Sequence, residues 1–203
     1  MHILLTDVLT CPQCGPQYGL ILLADVVRER RVYEGVLGCP NCRVQYRVQQ
    51  GGAALGAPAH VATAPDEARA QRLAALMGVM QGMVLLVGAA SADAPAMAEL
   101  LPDVEVVTSA WGVQDAIAVA EMPGVSRLGF SGPTLPLAQL KMHAVTLSGN
   151  AADALLEEGA RVVSAVGRLV LEPAPADAEE RLSAAGFRVL ARDAERVVAA
   201  RSV

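Results

Sequence analysis

Four cysteines, all before residue 43, fall into two units of one design, Cys11-Pro12-Gln13-Cys14 and Cys39-Pro40-Asn41-Cys42. A Cys-x-x-Cys turn places two thiolates on one side of a tetrahedron, and two such turns complete the coordination of a zinc ion whose sulfur ligands sit at about 2.3 Å. Pro12 and Pro40 hold the same place in each unit and pre-set the backbone of the turn. Gly15 follows the first pair, where a chain folding back toward a metal favours positive φ. With Cys11, Cys14, Cys39 and Cys42 all supplied as ligands, no coordination position is left for water, so the expected Zn2+ is structural rather than catalytic. A redox dithiol and a pair of disulfides are the rival chemistries, and the repetition at this spacing favours zinc over both. His2, His60 and His143 are not at ligand spacing and read as ordinary surface or core histidines.

The elements that must bring the two pairs together lie between them. Leu20–Val27 and Arg31–Leu37 are β-favouring runs that fit a hairpin, the outline of a zinc ribbon. The order "LLTDVLTCPQCG" and then "YEGVLGCPNCRVQYRVQQG" resembles the small zinc-ribbon proteins that activate tRNA and protein methyltransferases as a partner subunit, over about the first quarter of the chain. Gly35, Leu37 and Cys39 match that family's stretch into the second knuckle, and Tyr46, Arg47 and Val48 match its closing strand with arginine in place of the usual proline. "GGAAL" stands where the family has Gly-Ile-Pro. The resemblance implies a protein partner; self-association through an exposed ribbon strand is expected on separate grounds, because a small module buries little surface alone.

Residues 51–65 are rich in Gly, Ala and Pro and read as a linker between a ribbon at 1–50 and a larger domain at 66–203. Asp66 to Met80 is expected to be a helix with Ala70, Leu73, Leu76, Met77 and Met80 facing the core. Strand and helix patterns then alternate: strands at 83–90, 104–110, 126–132, 140–149 and 167–173, helices at 93–101, 113–122, 151–162 and 176–187, and a closing hairpin. Such alternation specifies an α/β fold with a mainly parallel, Rossmann-like sheet. The Gly-Arg-Leu-Val-Leu strand at 167–171 and the helix ending in Ala-Ala-Gly-Phe at 184–187 resemble the last third of a class I S-adenosylmethionine-dependent methyltransferase domain.

That resemblance implies a glycine-rich turn after the first strand of the domain and an acid at the end of the second, to meet the ribose hydroxyls. The turn here is "VGAASADAP": Gly88 keeps the first glycine, but Ala90 and Ala92 replace later ones. The second strand ends in Thr108 and Ser109, with Glu105 in mid-strand. A degenerate, non-catalytic methyltransferase-like domain is the reading this favours; a methyltransferase binding S-adenosylmethionine through a divergent loop at Gly88, Ser91 and Asp93 is the alternative. The single tryptophan, Trp111, reads as a buried anchor, with a ligand lid as the alternative.

Composition bounds the rest. Hydrophobic residues make up 53% of the 203, enough for a core, and aromatics only 3%. The net charge of -5 and the scarcity of stacking rings argue against nucleic-acid binding. No apolar run approaches the roughly 20 residues of a membrane span, and the N-terminus lacks a basic secretory start. The expected location is cytoplasmic, where thiols stay reduced.

Overall fold

The computed structural model describes residues 1–56, 63–109, 122–130 and 132–202. The chain opens with a 3-10 turn, Ile3–Asp7, capped by the His2 ring, which accepts from the Leu4 amide. Two short strands, β1 (Thr10–Cys11) and β2 (Gly15–Gly19), pair antiparallel around the first Cys-x-x-Cys turn. The expected hairpin follows as β3 (Ile21–Arg28) and β4 (Arg31–Gly38). Its two-residue turn, Glu29-Arg30, has positive φ at both positions, the handedness that matches strand twist. β5 (Gln45–Gln49) returns antiparallel to β4, and a second two-residue turn, Gln50-Gly51, again with both φ positive, leads into β6 (Gly52–Ala54).

α1 (Glu67–Met77) starts where Asp66 accepts from the Arg69 amide and stops at Gly78 in a left-handed cap. Ala70, Leu73 and Met77 are buried as the stripe requires. Met80 corrects that stripe: it lies beyond the cap and is 78% exposed, because Gly78 ends the helical period before it. The remaining elements are β7 (Gly82–Val87), α2 (Ala94–Leu100), β8 (Val104–Thr108), β9 (Val125–Gly129), β10 (Met142–Ser148), α3 (Asn150–Ala154), α4 (Leu156–Val162), β11 (Val163–Glu172), α5 (Ala178–Ala184), β12 (Phe187–Arg192) and β13 (Val197–Arg201). The helix expected over 151–162 is two helices, because Leu155 leaves helical geometry. Leu155 and Leu156 are both buried on either side of the break. The helix expected over 113–122 and Trp111 and His60 lie outside the described residues, in whole or in all but the last position.

One sheet runs through the whole protein in the order β12-β13-β11-β10-β7-β8-β9-β6-β5-β4-β3. From β11 to β6 the neighbours are parallel; β13 is antiparallel between β11 and β12. Within the Gly/Ala/Pro-rich 51–65 segment, Gly52–Ala54 is thus a strand that pairs on one side with β5 and on the other with β9. One side of the sheet carries α1 and α2 over Val84, Leu86, Val106 and Val170. The other carries a core that passes without interruption from Leu37, Tyr46 and Leu128 to Val145 and Leu182.

Polar contacts lock the seam. Arg31 of β4 forms two parallel hydrogen bonds of 3.1 Å to the Glu105 carboxylate of β8, both side chains 11% exposed. Ser126 donates to the same carboxylate at 2.5 Å, and Arg127 donates to the Gln50 carbonyl at 3.0 Å. The first knuckle is tied down too, by Thr10 N donating to Pro136 O at 3.0 Å and Ala138 N to Val8 O at 2.8 Å.

Candidate metal centre and the strand-end turn

The four cysteine sulfurs lie within 4.8 Å of one another and none is bridged. Two contacts cross between the knuckles: Cys11 Sγ to Cys42 Sγ at 3.7 Å and Cys14 Sγ to Cys39 Sγ at 3.8 Å. A tetrahedral ion about 2.3 Å from each of four sulfurs would hold them about 3.8 Å apart. The spacing therefore fits a metal, and it is far beyond the roughly 2.05 Å of a disulfide.

Both knuckles reach this geometry by the same backbone device. The residue four places after the first cysteine has positive φ in each, Gly15 at +93° and Arg43 at +63°. Gly15 was legible in the sequence; Arg43 was not, since an arginine pays no attention to this region of its own accord. In the second knuckle Cys39 N donates to Val44 O and Arg43 N to Cys39 O, each at 3.0 Å, which closes the turn. Cys11 and Cys39 are buried while Cys14 and Cys42 are half-buried, so the cluster sits at the edge of the core.

Electrostatics in the absence of a cation are lopsided. Burial works against ionisation of Cys11, but hydrogen bonds from the Tyr46 hydroxyl and from the Cys14 and Gln13 amides outweigh it and bring the thiol down to about 6. The Val44 amide favours the Cys42 thiolate, yet burial and the three neighbouring thiols push it up to about 12. Burial, then the bond to Cys11, raises the Tyr46 phenol. Four sulfurs this close cannot all be ionised on their own; a divalent cation would supply the missing charge. Two side chains that the sequence reading passed over touch the cluster: Tyr46 Oη lies 3.4 Å from Cys11 Sγ, and Asn41 Nδ2 donates to Cys14 Sγ at 3.3 Å.

The second candidate region is the turn after β7, a 3-10 turn over Gly88–Asp93. Gly88 has φ +78°, and a Cβ there would lie 2.0 Å from the Ser148 carbonyl oxygen, so its close approach is to the end of β10. Ser148 Oγ donates to Val87 O and accepts from the Ala90 amide, both at 2.7 Å. Ser91 Oγ donates to Leu86 O at 2.9 Å and lies 3.1 Å from Ser109 Oγ, while Thr108 Oγ1 donates to Ser91 O at 3.2 Å. Asp93 is fully buried; its carboxylate accepts from Arg69 Nη2 and from the Asp66 amide, each at 2.8 Å. Gly88, Ser91 and Asp93 are thus brought together, but each is engaged by the protein itself. Glu105 belongs to the opposite end of the sheet, held by Arg31.

The strand order and the α/β layering have counterparts among solved proteins. The glycopeptide N-methyltransferase MtfA complexed with sinefungin superposes with a TM-score of 0.51 at 16% identity, over 70% of this chain and 89% of MtfA. Over that share of the chain the fold resembles the Rossmann-like fold of methyltransferases. MtfA complexed with S-adenosyl-L-methionine gives a TM-score of 0.51 at 14% identity, over 71% of this chain and 97% of MtfA. The pyocyanin biosynthetic protein PhzM gives 0.50 at 18% identity, over 66% of this chain, which spans only 54% of the length of PhzM. No protein-family model and no curated protein matches the sequence. Among the described residues no helix is long and apolar enough to cross a membrane.

Proposed function

We propose that this chain is a zinc-stabilised, methyltransferase-like protein that does not transfer methyl groups and acts through protein contacts. The carrying observation is that the polar groups of the turn after β7 are spent on one another: Ser91 on Leu86 and Ser109, Ser148 on Val87 and Ala90, Asp93 on Arg69. Among the described residues these groups offer no acid to a pair of ribose hydroxyls at the end of β8, and diverting them to a ligand would leave buried partners unpaired at about 1–3 kcal/mol each. Cys11, Cys14, Cys39 and Cys42 would hold the zinc, as a ribbon of structural type, in a cytoplasmic setting that keeps them reduced.

Calorimetry with S-adenosylmethionine and its demethylated product tests the first half: no binding is expected up to millimolar concentration. Micromolar affinity for either would overturn it in favour of a methyltransferase with a divergent cofactor loop, the reading that the fold of MtfA keeps open.

Contact is proposed at β3, the terminal strand of the sheet, which pairs only with β4 among the described residues. A register shift around Asp25 divides its edge, and the half before it exposes Ile21 at 57% and Leu23 at 65%. The expected partner is a second copy. Light scattering should find a dimer that Leu23→Lys converts to monomer; a wild-type monomer at high micromolar concentration would sink the self-association.

A further inference from the structure

Resting on the zinc reading above, the geometry points to Tyr46 and Asn41 as the side chains that set how firmly the metal is held, by donating hydrogen bonds from the second half of the module to the sulfurs of the first knuckle. The Tyr46 hydroxyl sits 3.4 Å from Cys11 Sγ in a buried contact, and the Asn41 amide reaches Cys14 Sγ at 3.3 Å. Neither contact is needed to build the knuckle turns: the backbone bonds of Cys39, Arg43 and Val44 close the second, and the pairing of Cys11 with Gly15 between β1 and β2 closes the first. A phenylalanine would fill the same place against Leu37 and Val48. A hydroxyl carried into a core costs free energy unless it finds a partner, and this one finds the Cys11 sulfur.

Four thiolates on one divalent ion leave two negative charges in a partly buried site. A donor aimed at a sulfur withdraws part of that charge, which lowers the repulsion among the ligands and makes the sulfur a poorer nucleophile. The donors are unevenly placed. Cys11 receives the Gln13 and Cys14 amides as well as Tyr46, so the most buried sulfur is also the best supplied. Tyr46 further lies on β5, opposite Leu37 of β4, and β5 is the neighbour of the strand that joins the α/β half. Its hydroxyl is therefore a direct side-chain link from the shared core to the metal's charge.

The test uses the full chain, loaded with zinc or with cobalt, and the variants Tyr46→Phe and Asn41→Ala beside Arg47→Ala as an exposed control on the same strand. Zinc affinity is read by competition with a chromophoric chelator, and the sulfur-to-cobalt charge-transfer band reports electron density on the thiolates. Tyr46→Phe is expected to bind one metal with unchanged far-ultraviolet circular dichroism, with its dissociation constant raised about tenfold or more. Its charge-transfer band should move to lower energy, because a sulfur without its donor is easier to oxidise. Asn41→Ala should shift both readouts the same way by less, since water replaces the donor at half-buried Cys14, and Arg47→Ala should shift neither. Wild-type affinity and an unmoved band in Tyr46→Phe would overturn the inference while leaving the zinc site standing. Should Tyr46→Phe fail to fold, an unmoved affinity and band in Asn41→Ala would overturn it alone. A wild-type chain that takes up neither metal overturns the zinc reading itself, and this inference with it.

Discussion

The cysteine cluster and the turn after β7 are both places where polar side chains converge at strand ends, and they differ in what the convergence leaves over. At the cluster, four like groups meet within 4.8 Å, satisfied by one another only through long sulfur–sulfur contacts of 3.7 and 3.8 Å, and a positive charge would complete the arrangement. At the turn, hydroxyls, carbonyls and an Arg69–Asp93 ion pair satisfy each other in full view of the strands that would flank a cofactor. A site keeps its capacity to bind when its groups remain short of partners. By that measure the first region fits an occupant, and the polar groups of the second are already taken.

The sharpest way to break this contrast is to remove one ligand. Cys39→Ser should abolish stoichiometric zinc and unfold the N-terminal strands, measured by metal analysis and circular dichroism; a metal-free variant as stable as the parent would make the cluster merely a set of packed thiols. Next in size, Arg69→Ala should cost about 3–5 kcal/mol in urea unfolding, because it strands the buried Asp93 carboxylate without its partner. Adding Asp93→Asn to that variant should recover part of the loss, and strictly additive effects would mean that the pair does not hold the turn shut. Smallest is Arg43→Gly, which relieves a left-handed residue in the second knuckle and should raise stability by about 0.5–1 kcal/mol, bringing that knuckle closer to the first with its Gly15. A fall in melting temperature would assign the Arg43 side chain a contact of its own.

How much of this was legible before any coordinates follows from the range of the interactions involved. The knuckle pairs and the β3–β4 hairpin are local, and spacing and alternation specify them. The strand–helix alternation of the larger half is equally local, and it gave the right fold class. Tyr46 and Asn41 were missed because their partners belong to the other knuckle, and no period in the sequence relates them. The Arg31–Glu105 pair was missed for the same reason, across more than seventy positions. Gly52–Ala54 has no β-favouring side chains at all; it is a strand because β5 and β9 flank it, a fact of tertiary structure. Met80 and Leu155 were misread where a cap and a helix break overrode the apolar spacing.

The three-residue strand β6 also means that β9 never presents a bare flank. A fragment beginning after β6 would display that flank's unsatisfied amides and carbonyls to every neighbouring molecule, an invitation to stacking into insoluble ladders. Whatever else the N-terminal strands do, β6 serves the larger half as a lid on its sticky side.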